Sequence, residues 1–184
     1  MELILQRGLP HQQKAVDAIS TALDGVQITS PVQFYENPHI SLSDSRLSAN
    51  IREIQKSIPA EYRSSMPIGD CLNIDIKMET GTGKTYVYTH TIYELHKRYG
   101  LNKFIIAVPS LAIKAGTAQF LRDEYVKRHF SDVCGYGTEI EVGVLEAPKN
   151  KKKGRSYFPS VVSDFVKGSC RNTKKIYVLL VNMQ

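Results

Sequence analysis

Hydrophobic positions along this chain switch repeatedly between two periods. After Pro10, "HQQKAVDAISTALDGV" sets Ala15, Val16, Ile19, Ala22, Leu23 and Val26 three and four residues apart, the spacing of one amphipathic helix that ends near Gly25. The next stretch, "QITSPVQFYENPHISLSDS", is rich in Pro, Ser and Asn and predicts a loop or an inserted arm. "RLSANIREIQKSI" places Leu47, Ile51, Ile54 and Ile58 on one helical face, and a turn-rich patch then ends at "MPIGD". From Leu72 the period falls to two. Leu72, Ile74, Ile76 and Met78 alternate with Asn73, Asp75 and Lys77, which predicts a strand. "KTYVYTHTIYELHKRYG" returns to a helical stripe of Val87, Tyr88, Ile92, Leu95 and Tyr99, with Gly100 as its stop. "KFIIAVP" is a continuous apolar run of strand length, suited to a sheet covered on both faces. A helix is predicted from Leu111 to Phe130, with Gly116 as the place where it would bend or break. "EIEVGVLE" alternates as a strand, "SVVSDFVKG" reads as a short helix, and "KIYVLLVN" is a further buried strand. Strands that alternate with helices predict an α/β fold built on a parallel, doubly wound sheet.

Composition narrows the class without naming it. A chain of 184 residues with 42% hydrophobic and 23% charged positions fits one ordinary domain or one lobe of a larger protein, and excludes a wholly disordered chain. No apolar run approaches the roughly 20 residues of a spanning helix, and "MELILQRGLPHQQK" lacks a basic leader followed by an apolar core. No membrane role and a cytoplasmic address are therefore expected. Cys71, Cys134 and Cys170 are odd in number and far apart, so reduced structural thiols are expected. The net charge of +6 suits a polyanionic partner. Part of it sits in "APKNKKKGR", where Lys149, Lys151, Lys152, Lys153 and Arg155 have no acid among them. That run is either a solvated loop or a tract that follows nucleic-acid phosphates.

Chemistry concentrates where the predicted strand meets the predicted helix. Thr80, Gly81, Thr82, Gly83, Lys84 and Thr85 fit a phosphate-binding loop. Glycines let backbone N–H groups turn inward onto phosphate oxygens, and the helix N-terminus adds partial positive charge. Lys84 would reach the β and γ phosphates, as the residue on which catalysis depends, and the Thr85 hydroxyl would be a ligand of Mg²⁺. The strict pattern also asks for glycine six positions before the lysine, where this chain has Met78. The residues that face phosphate are the later ones, so the departure leaves the chemistry in place.

About 70 residues upstream, "LPHQQKAVDAI" supplies a glutamine at a helix start. Its amide can accept from adenine N6–H and donate to N7, selecting ATP over GTP. Superfamily 2 helicases and translocases carry such a glutamine in a "YQ..A" context, which Gln12 resembles with His11 before it and Ala15 after it. Gln13 is the competing choice. "FIIAVPSLAIKAGT" then runs a strand into Pro109 and Ser110 and a helix carrying Lys114. In superfamily 2 proteins the equivalent turn touches a nucleic-acid backbone through hydroxyls and helix-terminal N–H groups. Ser110 as an ordinary helix cap explains the same residues without a ligand.

Together, "LPHQQKAV", "IDIKMETGTGKTYVY", "FIIAVPSLAIKAGT" and "VLLVNMQ" resemble the N-terminal part of the Res subunit of type III restriction-modification enzymes. The resemblance implies a P-loop NTPase of RecA-like architecture, an incomplete first motor lobe, using ATP and Mg²⁺. It implies DNA as the track, a Mod methyltransferase subunit as partner, and a restriction endonuclease as the parent enzyme. On this basis residues 1–26 are expected to form the adenine-reading helix, 27–70 an insertion and 71–184 the partial ATP-binding lobe. Hydrolysis needs an acid on Mg²⁺ and a residue to orient water. No apolar strand here ends in an Asp-Glu pair, and neither helicase arginines nor a PD-(D/E)xK nuclease site is found. A fragment that holds half of an ATP site is expected. The alternatives are a type I restriction motor or other helicase, a non-helicase P-loop NTPase, and a nucleotide-dependent interaction module.

Overall fold

The computed structural model describes residues 5–63, 71–146, 158–171 and 174–183. The basic run of residues 149–155 lies outside them. The chain divides into two compact units, one of Gln6–Ser30 with Pro38–Tyr99, the other of Pro31–Asn37 with the described residues from Gly100 onward.

The first unit is helical. Pro10 opens helix α1 (Pro10–Ala22), its fixed φ matching the first helical position and its missing N–H costing nothing there. A two-residue antiparallel ladder follows, β1 (Ile28–Thr29) with β2 (His39–Ile40), then helix α2 (Ser45–Lys56) and helix α3 (Lys84–Tyr99). Asp44 caps α2 by accepting from Arg46 N at 3.0 Å, and its other oxygen accepts from Gln27 N at 2.7 Å. The Arg46 guanidinium also donates to both carboxylate oxygens. These bonds, led by the Arg46 side chain, hold the Asp44 carboxyl well below the usual carboxylate range. Ala22, Leu23 and Val26 from the end of α1 meet Leu47 and Ile51 of α2, with Leu95 and Tyr99 of α3 against them. The Tyr99 hydroxyl closes this cluster, 2.5 Å from the Ser20 carbonyl and 2.6 Å from an Asp24 carboxylate oxygen.

The strand expected over residues 72–78 does not form. Leu72 makes an isolated bridge, Asn73–Glu79 carry no strand assignment, and Ile74 and Ile76 stay more than a third exposed. Alternation specifies which side chains share a face, but a strand also needs a neighbour to take its backbone hydrogen bonds. None of the described residues supplies that ladder here.

The second unit is a three-stranded parallel sheet flanked by helices, in the order β3 (Lys103–Val108), β5 (Lys175–Asn182), β4 (Glu139–Val144). Lys103 pairs with Tyr177 and Glu139 with Lys175, so β5 lies between the other two. Its centre, Ile176, Val178 and Leu180, is buried to 1% exposure or less, as expected of a strand covered on both faces. Helix α4 (Leu111–Arg122) lays Ala118 against Val108 and Leu180, with Val142 and Val144 beside them. Gly143 faces the other way, and a Cβ there would stand 2.6 Å from Val161 of helix α6 (Ser160–Lys167). Because neighbouring strand residues point to opposite faces, α4 and α6 cover opposite sides of β4. Asn37 secures the start of β3: its Oδ1 accepts from Asn102 N and Lys103 N, and its Nδ2 donates to Lys103 O.

The helix expected from Leu111 to Phe130 is broken, but at Asp123 rather than at Gly116. Asp123 leaves the helical conformation and caps helix α5 (Glu124–Arg128), accepting from Tyr125 N at 2.8 Å and Val126 N at 3.2 Å. A π turn, His129–Val133, ends the segment. Gly116 passes through α4 exposed and unobstructed, where the cost of a glycine is only about 1 kcal/mol. Among the described residues Cys71, Cys134 and Cys170 form no disulfide. Among the described residues no helix is long and apolar enough to cross a membrane.

Candidate functional site

Two glycines shape the turn ahead of α3. Gly81 and Gly83 hold φ of 84° and 85°, a region that side-chain-bearing residues enter only with strain. α3 then begins at Lys84 and runs for 16 residues, leaving its first N–H groups without intrahelical partners and with the positive end of the helix dipole behind them. That combination binds anions.

Lys84 bends back across the turn. Its Nζ donates to the Met78 carbonyl at 3.0 Å and to the Glu79 carbonyl at 2.6 Å, and the Thr82 hydroxyl donates to the same Glu79 carbonyl at 2.7 Å. An exposed ammonium whose acceptors are neutral carbonyls gains from exchanging one for a phosphate oxygen, a charge-assisted bond. Met78, where the strict pattern has glycine, is used for packing, partly buried against Ala15, Val16 and Val87. Thr80 is exposed on the turn, and Thr85 is half-buried in the first turn of α3. Among the described residues, no three His, Cys, Asp or Glu side chains gather into a metal site.

Gln12 arrives at this turn from α1. Val16, one helical turn on and on the same face, packs with Val87 of α3, and this contact sets Gln12 against the loop. Gln12 is 7% exposed, and its Nε2 donates to the Thr82 carbonyl at 3.0 Å. Its Oε1 is buried and finds no hydrogen-bond partner among the described residues. A Cβ placed on Gly83 would stand 2.4 Å from Gln12 Nε2, so a side chain here would push that amide off the Thr82 carbonyl. Gln13, the alternative in the sequence, turns outward and donates to Asp17 at 2.8 Å. His11 is a residue whose role the sequence did not suggest. It is exposed, and its Nε2 lies 3.2 Å from the same Thr82 carbonyl. The only available signal was its place beside Gln12 at the start of α1.

Pro109, Ser110 and Lys114 belong to the sheet-containing unit. Ser110 caps α4, its Oγ accepting from Ile113 N at 3.3 Å, and Pro109 is exposed before it. Lys114 is 8% exposed, and its ammonium donates to the Leu145 carbonyl at 2.9 Å and to Asn182 Oδ1 at 3.1 Å. It ties α4 to the segments that leave β4 and β5. To meet a phosphate, that ammonium would have to give up both acceptors.

Residues 7–183 match the family described as type III restriction enzyme, res subunit. The chain is 41% identical over 184 residues to the EcoPI Res subunit of Escherichia phage P1, covering 96% of this chain and 19% of that protein. It is 40% identical over 183 residues to the EcoP15I Res subunit of Escherichia coli, covering 97% of this chain and 19% of the relative. The StyLTI Res subunit of Salmonella typhimurium is 38% identical over 183 residues, 98% of this chain and 16% of the relative. The chain thus spans under a fifth of the length of these relatives.

Proposed function

The chain belongs to the family of type III restriction enzyme Res subunits, and from that premise we propose that it forms the ATP-binding part of a DNA-dependent ATPase and translocase. The observation that carries this reading is the glycine turn at the head of α3, with Lys84 seated in it on two backbone carbonyls. Thr80, Gly81, Thr82 and Gly83 cradle the phosphates, Lys84 neutralises the β and γ oxygens, and Thr85 holds Mg²⁺, whose chemistry when bound is to offset phosphate charge. Gln12 reads adenine. Its unpartnered Oε1 supports the role, since a buried amide oxygen without a donor costs roughly 1–3 kcal/mol and the adenine N6–H is a donor that would relieve it. The atoms that now cover Oε1 must move aside for the base to reach it.

DNA contacts fall to the turn at Pro109 and Ser110, with Lys114 joining only if its internal bonds open. In the larger assembly the partner is a Mod methyltransferase subunit, the product of the cycle is restriction of DNA, and the compartment is the cytoplasm. Hydrolysis calls for an acid on Mg²⁺. Among the described residues no strand ends in an Asp-Glu pair, so these residues account for binding, and turnover draws on the remainder of the Res subunit.

The test is binding of a fluorescent ATP analogue with Mg²⁺, in the original chain and in Lys84→Ala. Loss of binding in the variant, with the circular dichroism spectrum unchanged, supports the reading; equal affinity in both overturns it.

A further inference from the structure

The Thr82 carbonyl is approached by two side chains from the first turn of α1, Gln12 Nε2 at 3.0 Å and His11 Nε2 at 3.2 Å. Adenine recognition accounts for neither contact, because both fall on the loop backbone. In a trans peptide the carbonyl and the following N–H point in opposite directions. Fixing the Thr82 carbonyl toward α1 therefore turns the Gly83 N–H away from α1. The left-handed φ of Gly83 and the 2.4 Å that would separate its Cβ from Gln12 Nε2 show how closely the amide sits on this peptide.

We propose that His11 is a positioning residue for phosphate binding, acting with Gln12 as a two-donor clamp on the Thr82 peptide. This rests on the phosphate-loop reading and adds to it: residues 11 and 12 govern affinity for the triphosphate itself, whatever base it carries. The imidazole donates from Nε2 both as the Nε2–H neutral tautomer and as the cation. The clamp thus needs a donor at that position and does not need a charge.

The probe that separates the clamp from base recognition is inorganic tripolyphosphate, which has no base. Its affinity, with Mg²⁺, is measured by displacement of a fluorescent ATP analogue from the chain and from four variants. Two neutral hydrogen bonds of ordinary strength set the scale, about threefold to tenfold in Kd for each. His11→Phe is expected to weaken tripolyphosphate, ATP and GTP by the same factor of about three to ten, and His11→Gln, which returns an N–H donor to that position, to restore all three. Gln12→Ala should weaken tripolyphosphate as well as ATP. The clamp is overturned if His11→Phe leaves tripolyphosphate affinity unchanged, or if His11→Gln behaves like His11→Phe. Lys84→Ala separates the two layers of the argument. If it abolishes tripolyphosphate binding while His11→Phe does nothing, the phosphate loop stands and the clamp falls; if it changes nothing, both fall. Because His11 is exposed, its replacement leaves the core intact, which a thermal melt of each variant checks.

Discussion

Gly83→Ala tests the geometry of the loop most severely, because two penalties coincide at one atom. The first is backbone: φ of 85° lies in the left-handed region, where an alanine costs about 1–2 kcal/mol. The second is contact. The new Cβ would lie 2.4 Å from Gln12 Nε2 and 3.5 Å from Gln12 Cδ, so the amide has to swing off the Thr82 carbonyl and give up a bond worth about 0.5–1.5 kcal/mol. The sum, about 1.5–3.5 kcal/mol, corresponds to roughly a 10-fold to 400-fold loss of affinity if it falls on the nucleotide-bound conformation. The assay is displacement of a fluorescent ATP analogue, run as a double-mutant cycle with Gln12→Ala. In the Gln12→Ala background the contact penalty is gone and only the backbone cost remains. The cycle should therefore show a coupling of about 1 kcal/mol between the two positions. Gly83→Ala with the original affinity, or a cycle with no coupling, would refute the placement of Gln12 on this loop.

Three further outcomes follow from other parts of the molecule. Lys84→Ala should weaken ATP binding by about 30-fold or more, as expected when one partner of a charge pair of roughly 2–5 kcal/mol is removed, measured by the same displacement. Lys114→Met should lower the free energy of unfolding in urea by about 1–3 kcal/mol, because it leaves the Leu145 carbonyl and Asn182 Oδ1 without their donor. Unchanged stability would show that the buried ammonium contributes nothing to the α4 contact. Asp44 governs an acid-side effect. Its carboxyl titrates lower in the folded chain than the roughly 3.9 of an unfolded aspartate, so the folded state binds fewer protons and stability rises with pH through that window. The contribution is complete above pH about 4 and is lost as the pH falls toward the lowered folded value. Urea midpoints between pH 2 and 5 should show a shallower slope in Asp44→Asn, and an unaltered slope would remove Asp44 from the account.

The elements legible in the sequence were those whose signal is local. α1 and α3 follow from stripes such as Ala15, Val16 and Ile19, and β3, β4 and β5 from short apolar or alternating runs bounded by polar residues. Residues 72–78 carry an equally clear alternation and still form no strand, because pairing depends on partners that the segment itself does not encode. The same distinction operates within the long helix. A glycine announces a weak point in the pattern, but Asp123 set the break, through a capping bond that only the geometry reveals.

In the candidate site, the glycine turn and the place of Lys84 at the head of α3 were readable from their spacing. The preference for Gln12 over Gln13 rested on the resemblance alone. Both open the same helix, and only the contact of Val16 with Val87 decides which amide faces the loop. Lys114 marks the opposite limit: a cation in the first turn of a helix suggests an exposed phosphate contact, whereas packing directs it inward onto the ends of two strands. His11 left no signal beyond its place beside Gln12, since a single exposed bond to a backbone carbonyl has no sequence pattern.

The most direct test of the central claim is competition by ATP and by GTP against a fluorescent ATP analogue bound to the chain in the presence of Mg²⁺. ATP is expected to displace the analogue at substantially lower concentration than GTP, with the difference abolished in Gln12→Ala and binding weakened about 30-fold or more in Lys84→Ala. Analogue that never binds, or that binds equally well when Lys84 is gone, would contradict it.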